Sequence, residues 1–505
     1  MMKIFLANPP CRIQINEGEE RYFVRAGSRW PFSVIKKINQ SPDYIPFPFY
    51  LAYTAAILEK NGHQVIVDDG VATNQSESEF LEKVFETKPQ IILFETSTPT
   101  INYDLELVRK IKNRLDEVVI CLAGTHATSF YKEILKNTDD IDYILLAEYE
   151  LSFSRLVDAL EKKWSMGKIE EIEGIAFKKE KKVFWSEPKL IDPLDQLPVP
   201  ARRLFPNNTN PDPTIYWDGF CQYKPAIQMH ASRGCPFRCN FCLWNQVMYR
   251  NSKYRFFSAK RVVDEMEEVA RKYKAREIYF DDDTFTANKK QVLSICEEIK
   301  ERKLKINWSV MGDAMVTDKE MVEAMADAGC IGIKFGVESG SREILKHIEK
   351  PVNFKKLKEF TNWCAKKRIK THATFTFGLS GETGKTMEET LNLAKSLDVD
   401  SVQFSITTPF PGTRYFEEVK KEKLLLAENW NDFDGASQSV VKFKNLSSEV
   451  VKNYWQGASG KWLRYKFFKA SWAIRQFYFL RRMIKGQGLT VIWTKTSRLI
   501  NLLFS

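Results

Sequence analysis

The chain has 505 residues, 44% of them hydrophobic and 13% aromatic, enough for two or three packed domains and unlike a disordered polymer. Nine scattered cysteines, an odd number, exclude a disulfide framework and suit a reducing cytosol. The net charge of +11 resides almost wholly in residues 461–505, which hold ten Lys or Arg and no Asp or Glu, so the near-neutral body argues against a nucleic-acid binder.

Taken in chain order, the first segment alternates strand and helix signals. KIFLANP (3–9) reads as a strand, YLAYTAAILEKNG (50–62) as a helix closed by Gly62, and HQVIVDDG (63–70) and QIILFETS (90–97) as further strands. A helix follows around 101–114, then VVICLAGTHAT (118–128), then IDYILLAEYE (141–150) running into a helix to about 162. Buried strands alternating with helices predict a doubly wound parallel sheet over residues 1–165, with ligands at the carboxyl ends of its strands. The Arg-, Trp-, Phe- and Pro-rich stretch 11–49 reads as a functional loop inserted after the first strand. Residues 166–225 read as a hairpin (GIAFKKEKKVFW) and a connector holding, from 188 onward, eight of the chain's twenty prolines.

A second unit spans 226–420, with strands expected near 227–232, 277–281, 306–310, 331–337, 371–377 and 401–406. Six strand–helix units, two short of a closed barrel, predict a partial (β/α)6 barrel of the TIM type with one open side. One helix is expected to open at Ser258 and another at a Thr317–Glu320 capping box, stopping at Gly329. Residues 421–505 read as helical, ending in the basic tail. No run of about 18 apolar residues occurs, so no bilayer span is expected. The opening MMKIFLANPPC lacks a signal-peptide core, and a cytoplasmic protein is expected.

The most informative stretch is SRGCPFRCNFCLWNQ (232–246), directly after the first strand of the second unit. Cys235, Cys239 and Cys242 can bring three thiolates to one point, an arrangement that favours an Fe–S cluster or zinc. A cubane on three cysteines keeps one iron open for a ligand. A zinc site would need a distant fourth ligand such as His230 or Cys221. LSGETGKT (379–386) imitates a P-loop, but the required first glycine would fall at Leu379, so no NTPase site is expected.

RGCPFRCNFC resembles the signature of radical S-adenosylmethionine (SAM) enzymes, with Phe241 in the aromatic position. The resemblance continues in order through EIYFDDDTFT (277–286), GIKFGVESGS (332–341), FTFGLSGET (375–383) and TTPFPGT (407–413). It implies a [4Fe–4S] cluster on Cys235, Cys239 and Cys242 whose open iron takes SAM, reductive cleavage to a 5′-deoxyadenosyl radical, and a flavodoxin- or ferredoxin-type reductant. It places SAM against Phe241, Glu338, Ser339 and Gly378. Asp281–Asp283 could equally cap a helix, and GVESGS could be a turn.

The first unit resembles the cobalamin-binding domain that precedes the barrel in one radical SAM subclass, on the strength of AGTHATS (123–129), LLAEYELSFSRLVDAL (145–160) and DPLDQLPVPARRLF. That implies cobalamin bordered by Asn8, Ser97, Thr98, Gly124, Thr125, His126 and Glu148. None of the five histidines lies in a DxHxxG motif, so no histidine is expected beneath the cobalt. CLW, FDDDTFT and PFPGT resemble the branch with anaerobic magnesium-protoporphyrin IX monomethyl ester cyclase and hopanoid-modifying enzymes. The resemblance implies cyclisation, rearrangement or C-methylation at an unactivated carbon of a large hydrophobic substrate such as a lipid or tetrapyrrole. The competing reading is a non-catalytic zinc- or Fe–S-binding scaffold. The tail interleaves ten aromatic and ten basic residues. Such a segment suits either peripheral attachment to the inner face of a membrane or a helix packing its rings on the barrel.

Overall fold

The computed structural model describes residues 1–27, 30–38, 44–251, 253–435, 439–443 and 446–492. After β1 (Lys3–Asn8) come three short antiparallel strands, β2 (Arg12–Gln14), β3 (Glu19–Val24) and β4 (Phe32–Lys37). Then β5 (Gln64–Asp69), β6 (Ile91–Glu95), β7 (Val119–Ala123) and β8 (Tyr143–Leu145) alternate with helices, and β9 (Ile175–Lys179) and β10 (Lys182–Trp185) form a hairpin. Their sheet runs β10-β9-β8-β7-β6-β1-β5. The five strands from β5 to β8 are parallel, and the hairpin extends the sheet antiparallel at its edge. The order reverses between β1 and β6, so the crevice for a ligand is expected where Asn8 ends β1 and Ser97 follows β6.

These strands exist because both faces are covered. Ile91, Ile92, Leu93 and Phe94 are all fully buried. Each such side chain stabilises the fold by about 1.5–3 kcal/mol. Even-numbered and odd-numbered positions serve separate cores, Leu93 on one side with Tyr53 and Phe153, and Phe94 on the other with Phe80 and Leu107. This is the double covering that a near-continuous hydrophobic strand predicts.

The second sheet follows with β11 (Ala226–Met229), the two-stranded ribbon β12 (Ser232–Arg233) and β13 (Arg255–Phe256), then β14 (Glu277–Phe280), β15 (Asn307–Gly312), β16 (Cys330–Glu338), β17 (Lys370–Phe377) and β18 (Ser401–Ile406). Its six long-range strands are parallel in the order β11-β14-β15-β16-β17-β18, with β11 and β18 unpaired with each other. It is a six-stranded partial barrel. The connector threads its base: Lys370 Nζ donates to Phe220 O (2.7 Å), Gln222 Nε2 donates to Ile331 O (3.1 Å), and a side chain at Gly332 would collide with the Phe220 ring.

Three expectations need correction. Residues 11–49 are not one loop, since β2–β4 form a small sheet of their own. The helix Lys319–Asp327 is capped by Asp318, whose carboxylate accepts from Met321 N, because the Thr317 hydroxyl is spent on Asp313 O. The tail rings divide between two roles. Trp462, Trp472 and Phe479 are buried, with the two indoles donating to Ala394 O and Asp400 O, whereas Phe467 and Phe468 lie 51% and 85% exposed at the corner between helices Ser448–Phe467 and Ala470–Gln487. Trp493 and Phe504 lie outside the described residues. None of the described helices is long and apolar enough to cross a membrane.

Candidate active site

The cysteine loop leaves the carboxyl end of β11 and is held from all sides by side chains. Asp282 accepts from Ala231 N (2.9 Å) and Ser232 Oγ (2.6 Å), and Asp283 accepts from Gly234 N (3.2 Å). Asp282 and Asp283 therefore clamp the loop's entry and do not cap a helix. Gln246 Nε2 donates to the carbonyls of Asn240 and Cys242 at 2.9 Å and of Cys239 at 3.2 Å, and Asn245 Nδ2 donates to Phe237 O (2.7 Å). Two amides thus tie up the carbonyls of the loop that carries the sulfurs.

Burial pushes all three thiols up, Cys239 to about 12, with neighbouring cysteine charge and Glu338 adding to the shift and the Lys350 ammonium opposing it. Three such thiols ionise together only with a compensating cation. Among the described residues, the trio of His, Cys or carboxylate ligand atoms gathered within 4.8 Å is His63, Asp158 and Glu161; the three cysteine sulfurs stand wider. Around one zinc, with Zn–S near 2.3 Å, sulfurs would lie roughly 3.8 Å apart. The donor set and its spread fit a cluster better than a single ion.

Opposite the loop, β16 ends in a register irregularity between Gly336 and Glu338, and Glu338 adopts φ +70°. A bulge with a left-handed non-glycine residue re-aims a side chain. Glu338 Oε2 accepts from Thr376 Oγ1 (2.9 Å), and burial raises its pKa against the pull of Lys350. Lys350 itself is buried, 2.6 Å from Asp313 Oδ2 and over the Phe237 ring. Ser339 behaves differently from expectation. It is fully buried, with its hydroxyl against Thr390 and accepting from Ser341 N, so it fastens the helix Gly384–Ser396. Gly378 has both backbone groups engaged, its N–H by Glu382 and its carbonyl by the Tyr415 hydroxyl (3.0 Å), which leaves only surface contact for a ligand.

In the first unit, Ser97, Thr98, Gly124 and Thr125 pave the carboxyl edge of β6 and β7 with small groups. Gly124 has φ +104°, and a Cβ there would lie 2.2 Å from Thr96 O. His126 Nδ1 faces Thr98 Oγ1 (3.2 Å), and its ring lies 5.1 Å from both Phe130 and Trp430. Burial lowers its pKa to about 3, so it is neutral at working pH. Asn8 is held between Asp69 Oδ1 (2.7 Å) and Arg25 Nε (3.1 Å). Beside these, the Glu95 carboxyl is pushed up to about 7 by burial, partly offset by bonds from the Tyr149 hydroxyl (2.6 Å) and Gly27 N.

Glu148 is the clearest departure from the expected site. It accepts from Arg255 at 2.7 and 2.9 Å, from Arg233 at 3.2 Å and from Ile191 N at 2.8 Å. Arg233 also donates to Glu150 at 2.5 Å. Glu148, Glu150 and Arg233 are buried, and they lock the first unit to the cysteine loop. Burial would raise Glu148, but two arginines more than offset it and hold the carboxyl low; Glu150, with one arginine and Glu148 nearby, is raised. Sequence reasoning missed Arg233, although it stands inside the quoted motif, and missed Gln246 and Lys350, for which spacing carries no signal.

A model of the radical SAM superfamily matches residues 229–394, and one of the B12 binding domain matches residues 35–157. An uncharacterized methyltransferase of Pyrococcus horikoshii is 32% identical over 80% of this chain and 85% of its own length. This chain belongs to the cobalamin-dependent radical SAM enzymes. The anaerobic magnesium-protoporphyrin IX monomethyl ester cyclase of Rubrivivax gelatinosus is 28% identical over 84% of this chain and 76% of its own. In fold, the chain is similar to the radical SAM methyltransferase TsrM from Kitasatospora setae, with a TM-score of 0.65 at 18% identity over 83% of this chain and 76% of that one. Membership brings with it a [4Fe–4S] cluster, SAM and cobalamin as cofactors, a reductant, and a small-molecule substrate. A non-catalytic scaffold is not favoured.

Proposed function

We propose that the protein transfers a methyl group to an unactivated carbon of a large hydrophobic molecule. Cys235, Cys239 and Cys242 would hold the cluster, with Phe241 and Glu338 bordering SAM. Asn8, Ser97, Thr98, Gly124, Thr125 and His126 would border cobalamin, with the small side chains of Ser97, Thr98 and Thr125 suiting a broad flat ligand. When bound, these groups supply a hydrogen-abstracting radical and a methyl carrier. The chain's own part is to fix positions and exclude water. Lys350 and Asp313 hold a charge pair beside Glu338, and the Arg233–Glu148 lock sets the distance between the two strand-end surfaces.

The hydrophobic-substrate reading is carried by the relatives, which by their names include a tetrapyrrole-ester cyclase and a hopanoid C-3 methylase. Between the units Phe49, Tyr50, Trp244 and Tyr249 meet Gly27, His230, Asp281 and Asp283 around a cavity of only about 10 Å³, room for one water. Cyclisation of such a substrate is the second reading, favoured by the cyclase relative that matches 84% of the chain. The test is anaerobic reconstitution with iron, sulfide and cobalamin, followed by SAM carrying a deuterated methyl group, a low-potential reductant and a lipid extract. A substrate-derived product heavier by one deuterated methyl supports methyl transfer. Label retained on methionine, with a product lighter by hydrogens, supports cyclisation. No SAM cleavage at all overturns both.

The exposed corner bears on location. Phe467 and Phe468 project beside Arg464 and Lys469, on a segment without acidic residues. Rings flanked by cations suit an anionic lipid surface, where each cation contributes about 1 kcal/mol. Co-sedimentation with phosphatidylglycerol vesicles at low salt, lost on Phe467→Ser with Phe468→Ser, is the expected result. Binding unchanged by the double substitution would remove the membrane reading.

A further inference from the structure

Strands β2–β4 belong by sequence to the first unit, yet Trp30, two residues before β4, reaches the second. The Trp30 indole lies 5.9 Å from the Phe241 ring with planes 24° apart, and 5.7 Å from the Phe410 ring. Phe241 stands between Cys239 and Cys242, and Phe410 belongs to the TTPFPGT turn; both are buried, whereas Trp30 is 38% exposed. One indole therefore has one side on the cysteine loop and another toward solvent.

The small sheet is anchored firmly enough to hold that indole in place. Arg25 forms a fully buried ion pair with Asp104 and donates to Thr100 Oγ1 (2.9 Å). Arg21 and Ser33 both bond Asp434 of the C-terminal region. The returning chain is tied to the barrel by Phe47 N donating to Gln228 Oε1 (2.8 Å) and Gln228 Nε2 donating to Ile45 O (3.0 Å). Three parts of the molecule thus hold one short sheet, and that sheet presents one ring to the loop.

We propose that Trp30 is a positioning residue that seals the outer side of the cysteine loop, fixing Phe241 and keeping water and dioxygen from the cluster. The inference rests on assigning the cluster to Cys235, Cys239 and Cys242. An apolar wall around such a site controls solvent access, whereas a cavity in its place admits water. A tryptophan on a separate, anchored sheet provides that wall without adding a residue to the loop itself.

The experiment uses full-length protein, reconstituted anaerobically, as wild type and as Trp30→Phe, Trp30→Ala and Trp164→Ala. Iron and sulfide per chain are measured first, then the decay of the brown absorbance in air-saturated buffer. Trp30→Ala is expected to load fully and to bleach roughly threefold faster or more. Trp30→Phe should stay near wild type, and Trp164→Ala, an exposed indole of the first unit, should match it. A fully loaded Trp30→Ala protein that bleaches at the wild-type rate overturns the proposal. If Trp30→Ala cannot be loaded, Trp30→Leu replaces it, and a wild-type rate there overturns it equally. Wild-type protein that takes up no iron defeats the cluster assignment itself, and this inference with it.

Discussion

The carboxyl ends of the two sheets are built on opposite principles. Around the cysteine loop, carbonyls and N–H groups are claimed by Asp282, Asp283, Asn245 and Gln246. At the first unit's strand ends the side chains are mostly small and buried, and Gly124 packs on Thr96 by lacking one. A soft metal centre needs particular ligand atoms, so its residue types are few and its spacing is strict. A large planar ligand is met by shape, which many sequences can provide. The first kind of site should fail abruptly when altered, and the second gradually.

The largest expected effect tests the abrupt side. Alanine at Cys235, Cys239 or Cys242 should remove the Fe–S absorbance and SAM cleavage together, since two thiolates cannot hold the cubane. Alanine at Cys221 or Cys330, both buried elsewhere, should leave the spectrum intact. Loss of the metal in Cys221→Ala would instead indicate a fourth ligand.

Next in size is the join between the two regions. Arg233→Met would strand Glu150 as a buried carboxylate while Glu148 keeps Arg255, and leaving such a charge unpaired costs about 3–5 kcal/mol. Denaturant unfolding should show that loss, and Glu150→Gln in the Met background should restore part of it. No loss in the single variant would mean that the lock contributes nothing to the union of the units.

A smaller effect comes from Glu95. Its folded pKa, about 7, lies above the ordinary carboxylate value, so the folded state binds the extra proton. Stability from this group is fully present below the unfolded pKa near 4.5 and is lost as pH rises toward about 7. Over that window wild type should lose up to roughly 3 kcal/mol relative to Glu95→Gln. Melting temperatures of the two proteins across pH check it, and parallel curves would show that the carboxyl is not perturbed.

The smallest effect is expected at the largest side chain of that edge, the buried His126. His126→Ala should leave the axial ligation of Co(II)-cobalamin unchanged in electron paramagnetic resonance, because the imidazole faces Thr98 and lies near Trp430. A nitrogen splitting that disappears in the variant would make this edge a ligand site after all.

The same contrast decides what could be read beforehand. Both parallel sheets were visible as buried strands alternating with amphipathic helices, and the cysteine loop was visible as spacing. Ser339 was not, because a hydroxyl in GVESGS can face a ligand or a helix, and only packing against Thr390 decides which. Glu148 carried no mark of its partners, which lie 85 and 107 residues away. The β2–β4 sheet escaped because its strands are short and polar, and its buried Lys36–Glu20 pair reads in sequence as two surface charges. The tail rings could not be sorted by composition. Truncation at Lys461 would remove Trp462, Trp472 and Phe479 from the barrel wall along with the exposed corner, so it cannot isolate lipid binding.

The last described helix also bears on the order of events during synthesis. Arg276, just before β14, donates to the carbonyls of Gly486 (3.0 Å) and Lys485 (2.9 Å), and Lys224 N, just before β11, donates to Gly486 O (3.2 Å). These bonds join the start of the barrel to chain made some 210 residues later. The barrel's first two strands therefore leave the ribosome before the helix that closes their lower ends exists, and that edge must wait, open to chaperones or to a wrong partner, until some 210 further residues have been made.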